Sequence, residues 1–129
     1  MPRPQRPDRS GPAHHSITLL VGHLPHDPDR RELASGSVVW SFDVSVRSEG
    51  RGESVPVAWS DPPARARLAA GDEVLVVGRT RRRFFRAGGA TASRTEVVAE
   101  RVVPARQRAR WVAAVAEAGE RLAALDDPA

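Results

Sequence analysis

Glu73-Val-Leu-Val-Val-Gly78, followed at once by Arg79-Thr-Arg-Arg-Arg-Phe-Phe-Arg86, is the stretch that decides how this chain is read. A Gly88-Gly89 pair comes next, and the chain returns as Arg94-Thr-Glu-Val-Val-Ala-Glu-Arg-Val-Val103. Two β-branched runs separated by a glycine turn predict a hairpin. Its far half carries arginine at 79, 81, 82, 83 and 86 beside Phe84 and Phe85. Like charges repel, and no acidic residue lies within 79–86 to pair with them, so a buried tip is excluded. Such an arm suits a polyanion that also offers flat rings, which describes single-stranded nucleic acid. The plainer alternative is a solvated hairpin in an arginine-rich protein.

Outward from the hairpin, the pattern stays β. Ile17–Leu24 reads as a strand in which Gly22 permits a bend. Pro25–Gly36 reads as a polar loop. Ser37–Arg47 alternates, with Val38, Trp40, Phe42 and Val44 on one face, which predicts a half-buried strand. Ser48–Glu53 reads as a glycine-rich turn and Ser54–Trp59 as a third strand. Asp61 then offers a helix cap, Pro62 and Pro63 fit a first turn, and Gly71 closes a short helix. The expected architecture is all-β: five strands with a helix between the third and fourth, the order of the OB-fold barrel. Ala105–Leu125 adds a C-terminal helix whose apolar stripe is Trp111, Val115, Ala118, Leu122 and Leu125. The stripe predicts docking on the barrel or on another copy, with the basic start of the helix, Arg106 to Arg110, extending any nucleic-acid path.

Composition narrows the function. The 129 residues imply one domain (16–104) between a Pro-rich basic arm (1–15) and a helix (105–125) with a short tail (126–129). Net charge is +4, and every basic residue is arginine, whose planar fork suits phosphate and whose face stacks on bases. A GC-rich genome produces the same bias without function. No cysteine is present, which excludes thiolate metal sites and a cysteine nucleophile. His14, His15, His23 and His26 are spread over tail, strand and loop, so no metal or other cofactor is expected. No nucleophile elbow or phosphate-binding glycine loop occurs, and no enzymatic activity is expected. No apolar run reaches membrane-span length, and the N-terminus lacks the apolar segment of a signal peptide. A cytoplasmic, nucleoid-associated protein is expected.

In this order of elements the sequence resembles the bacterial single-stranded DNA-binding protein family. The resemblance rests on Thr18–Arg31, Ser35-Gly36 with Ser41–Val44, Val57–Trp59, Leu68–Val74, Val77–Arg79 and Thr95–Val97, and covers Ser16–Val103. It implies single-stranded DNA binding without marked sequence preference, in replication, repair or recombination. It also implies a homotetramer, or a homodimer, through the first strand, Ile17–Val21. Two of the family's stacking positions carry over, to Trp59 and Phe85; two others fall at Glu53 and Gly50, neither aromatic. The family's acidic, apolar C-terminal tip, which recruits repair enzymes, has only Asp126-Asp127 as its counterpart, so recruitment in that form is not expected.

The candidate contact set is therefore Trp59 and Phe85 for stacking, with Arg79, Arg81, Arg83 and Arg86 on phosphates and Arg82 and Arg47 beside them. Trp59 has two readings. Period two groups it with Val55 and Val57 as core, whereas the resemblance turns it toward DNA. Trp40 shares a face with Phe42 and Val44 and reads as core. Alternation places Phe85 with Arg79, Arg81 and Arg83, and sends Phe84 inward or into an interface. Two rival functions fit the same scaffold: a diverged protein-interaction module, signalled by Glu53, and an RNA-binding protein.

Overall fold

The strands form where β-branched residues recur, and the glycines set their turns and crossings. The computed structural model describes residues 16–125. It comprises β1 (Thr18–His23), β2 (Asp29–Glu32), β3 (Val38–Ser48), β4 (Arg51–Ser60), β5 (Glu73–Ala87), β6 (Ala90–Pro104) and one helix, α1 (Arg108–Leu125). The predicted arm at 1–15 and tail at 126–129 lie outside the described residues. Strand order is β1-β5-β6-β4-β3-β2, and β1 also meets β3 at His23↔Ser45. Five strands thus close a ring, and β2 lies outside it on β3.

Closure depends on one bare Cα. A side chain on Gly22 would place its Cβ 2.2 Å from the Ser45 carbonyl oxygen, so only glycine lets β1 cross β3 while still pairing with β5. A second close approach occurs at Gly78, where a Cβ would stand 2.1 Å from the Val98 carbonyl oxygen. Here the ladder slips: Val77 faces Arg101 but Gly78 faces Ala99, leaving Glu100 as a bulge. The bulge changes which β6 parity faces inward. Val102 on one side of it and Val97 and Ala99 on the other all reach the same core.

Two apolar layers result. Inside the ring, Leu24, Phe42, Val44, Val57, Trp59, Leu68, Val74 and Val76 pack together. Outside it, Leu75, Val77 and Val103 pack against Ala114, with Trp111 at the margin. Over Val74–Val77, β5 is buried on both faces because alternate residues serve the two layers.

The β3–β4 and β5–β6 hairpins turn at paired left-handed residues, Glu49-Gly50 (φ 52° and 78°) and Gly88-Gly89 (φ 57° and 82°), as two-residue loops with the right twist require. The first turn is tighter than the glycine-rich stretch predicted at Ser48–Glu53, and β4 begins at Arg51.

Two expectations give way. The loop predicted over Pro25–Gly36 contains β2, whose four residues are all exposed and therefore carry no apolar period. The helix expected from Asp61 to Gly71 is absent; the segment is irregular. Asp61 adopts a left-handed φ of 49°, and its Oδ1 accepts from the Val38 amide (2.9 Å) rather than capping a helix. Further along, Asp27 accepts from the Ala70 amide, while Leu24 exchanges backbone bonds with Gly71 and Asp72. Tertiary hydrogen bonds have taken the groups that a helix would have used. Leu68 plugs the ring from this connector.

The C-terminal helix does form, and its seam shares Trp111 and Ala118 with the predicted stripe but not the rest. Ala114 and Ala118 are its buried residues, whereas Val115, Leu122 and Leu125 are exposed. Two ion pairs from the bulge hold one flank, Glu100 with Arg121 (2.8 Å) and Arg101 with Glu117. No described helix is long and apolar enough to cross a membrane.

Candidate nucleic-acid interface

β4 and β6 run parallel and pair only over Val57–Trp59 and Val97–Ala99. Their starts therefore lie at the same end of the ring, and the β3–β4 and β5–β6 hairpins project together from it. Beside the longer hairpin lies an open groove of about 520 Å³. Arg81, Arg82, Arg83 and Phe84 line it from β5. Arg31 and Leu33 line it from β2 and its end, and Val39, Ser41 and Ala58 form its floor.

Four arginines thus surround a floor of small and apolar side chains and a phenyl ring that is 66% exposed. Phe84 sits at the outer part of the arm, where the sheet no longer covers it. An exposed phenyl among cations gives the two things a single strand asks for, a stacking face and phosphate partners. Phe85, 40% exposed, is on the other side of the strand and off the groove. Alternation groups Phe85 with the arginines, but residues of both parities, Arg81 to Phe84, line the groove and Phe85 does not.

Arg81 differs from its neighbours. Its Nε (3.2 Å) and Nη2 (2.6 Å) both donate to Oε1 of Glu96, a carboxylate only 2% exposed. The expectation that the arm lacks an acidic partner is thereby corrected, because Glu96 arrives on the returning strand. Counting equal steps outward from the Gly88-Gly89 turn sets Arg81 against Glu96, so this pairing had a signal in the sequence. Arg81 remains 49% exposed and keeps its remaining donors toward the groove.

The other candidates are scattered. Arg79 and Arg86 are exposed on the arm but do not line the groove. Arg47 sits near the tip of the β3–β4 hairpin, six residues beyond Ser41, or roughly 20 Å along the strand. Trp59 is 7% exposed and stands inside the ring, directly across from Trp40, with ring centroids 5.7 Å apart at 86°. A base finds no ring face there, so stacking on Trp59 gives way to core packing. Trp40 packs against the same core, and the Arg30 guanidinium carbon lies 4.5 Å from its ring centroid. Arg31, Leu33 and Arg30 were missed by sequence reasoning because β2 has no apolar alternation to reveal it.

Between the two hairpins lies a smaller cleft of about 230 Å³, lined by Asp27, Asp29 and Asp43 against one cation, Arg94. Its sign is opposite to that of the groove, so the two faces differ in the charge of ligand they favour. No known protein-family model matches the chain, and no curated protein matches it.

Proposed function

We propose that this chain is a non-enzymatic protein that binds single-stranded DNA without marked sequence preference. Its ring of strands is read as a diverged OB-fold barrel, despite the missing helix between the third and fourth ring strands. One observation carries the proposal: the open groove in which Arg31, Arg81, Arg82 and Arg83 surround the exposed Phe84. Guanidinium groups follow the backbone while Phe84 stacks a base, neither of which reads sequence. A role in replication, repair or recombination follows from that substrate.

A homo-oligomer through β1 belongs to the same proposal. β1 pairs with β5 along one edge, touches β3 only at His23, and exposes Leu19 and Val21 on its outer face. A free edge bearing apolar residues favours pairing with a second copy of itself.

Two features favour the rival reading of a protein-interaction module: the buried Trp59 and the aspartate-lined cleft. Anisotropy of a labelled oligo-dT strand, titrated at several salt concentrations, separates the two. The DNA reading expects binding that weakens steeply with salt, by about 0.7 log units per tenfold salt for each phosphate contact. Absence of binding at low salt overturns it. Competition by a matched RNA strand tests nucleic-acid type in the same assay.

A further inference from the structure

A second basic surface lies at the far end of the ring from the arm tip. The connector between β4 and β5 meets the start of α1 there, around a crevice lined by Trp59, Arg65, Arg67, Gln107 and Arg110. Arg106 joins the two segments, donating to the Arg67 carbonyl oxygen (2.9 Å) and pairing with Asp72 (3.3 Å). Arg67 donates to the carbonyls of Ala64 and Ala66, and Arg110 to the side chain of Gln107. These neutral acceptors orient Arg67 and Arg110 and leave their charge uncompensated, whereas Arg106 shares its charge with Asp72.

The start of α1 adds to this. Its first turn contains no acidic residue and instead carries Arg108 and Arg110, at the end where the helix dipole is already positive. That arrangement costs stability in isolation and is reversed in sign by a bound anion. The crevice, about 20 Å³, admits little more than a water-sized group, so a base is excluded and the rim is left for phosphate oxygens.

We infer that Arg65, Arg67, Arg106 and Arg110 form a second phosphate-binding site for the same single strand. The inference rests on the DNA-binding reading above. Along β6, eight residues separate Glu96, opposite Arg81, from Pro104 at the crevice, about 27 Å of strand. A strand of a few nucleotides therefore occupies one site at a time, and a longer one reaches both.

The test compares wild type with Arg65→Ala/Arg110→Ala, two exposed side chains whose loss leaves the core intact. Labelled oligo-dT of about 5 and about 16 nucleotides spans the range of site sizes for one domain of this kind. For the long strand, affinity should fall several-fold and the salt slope should become shallower by about 1.4, two contacts' worth. Short-strand affinity should be unchanged. An unchanged long-strand affinity and slope overturns the second site while leaving the groove intact, and so does an equal loss at both lengths. Failure of the wild type to bind either strand overturns the DNA-binding reading itself.

Discussion

Arg81 and Glu96 face each other across the arm, with two guanidinium donors on a single oxygen of a carboxylate that is buried beneath them. Among the described residues, the pair makes Arg81 the one groove arginine held by an acidic partner. Removing it leaves Glu96 buried and unpaired, which is costly; the half-exposed position admits some water and lowers that cost. Arg81→Ala should therefore destabilise the fold by about 1–3 kcal/mol, whereas Arg83→Ala, a surface change, should stay within about 0.5 kcal/mol. Urea melts decide this. Equal melts for the two variants would mean the ion pair contributes nothing.

The same pairing divides their roles in binding. Arg81 already spends part of its charge on Glu96, while Arg83 has no acidic partner among the described residues. Arg83→Ala should reduce the salt slope for oligo-dT by about 0.7, and Arg81→Ala by less. A larger slope change for Arg81 would show that phosphate displaces Glu96 on binding.

The aromatic side chains separate binding from stability. Phe84→Ala should weaken oligo-dT affinity by about 1–3 kcal/mol, one base stack, without shifting the melt. Trp59→Ala should do the reverse, destabilising by about 3–5 kcal/mol as a large core truncation beside Trp40. Intrinsic tryptophan emission is a poor reporter of the groove, since neither Trp40 nor Trp59 lines it. A Phe84→Ala protein with wild-type affinity would move the stacking role elsewhere on the arm.

The two glycine crossings give a test of ring closure. Gly22→Ala and Gly78→Ala each force a methyl group into a backbone oxygen at 2.2 and 2.1 Å, contacts that cannot relax by a rotamer change. Each should exceed the roughly 1–3 kcal/mol typical of overpacking. Gly52→Ala meets nothing within 4 Å and has no left-handed φ, so it should be neutral or stabilise by up to about 1 kcal/mol. Circular dichroism melts of the three variants check the contrast; a stable Gly22→Ala protein would rule out the β1–β3 crossing.

How much of this was legible depended on whether a residue's role was local. The arm, the alternating β3 and the alanine-rich helix follow from period and turn chemistry, and all three are present. β2 was hidden because Asp29–Glu32 is exposed throughout and owes its strand to pairing with β3. The connector looked helical because Asp61 and the prolines satisfy local rules, but the Val38 amide lies close enough to claim the aspartate. Trp59 was ambiguous because period two and the family likeness pointed to opposite faces; packing followed the period. In the groove, the arginines were visible as composition, whereas Arg31 and Glu96 join them only through strand register.

The helix seam offers the sharpest remaining test. Of the predicted stripe, Trp111 and Ala118 lie on the seam beside Ala114, whereas Val115, Leu122 and Leu125 are exposed. Alanine lets the helix lie close over Leu75, Val77 and Val103, while the larger Val115 and Leu122 stay at the flank. Ala118→Leu should therefore lift the helix off its seat and destabilise by about 1–3 kcal/mol. Leu122→Ser should change the stability of the single chain by no more than about 0.5 kcal/mol. Deleting Ala105–Ala129 uncovers the three outer β residues together and should lower the melting temperature by several degrees, at about 4–8 °C per kcal/mol for a domain of this size. If Leu122→Ser melts early and Ala118→Leu does not, the helix docks through its Val115 and Leu122 flank rather than through the alanine seam.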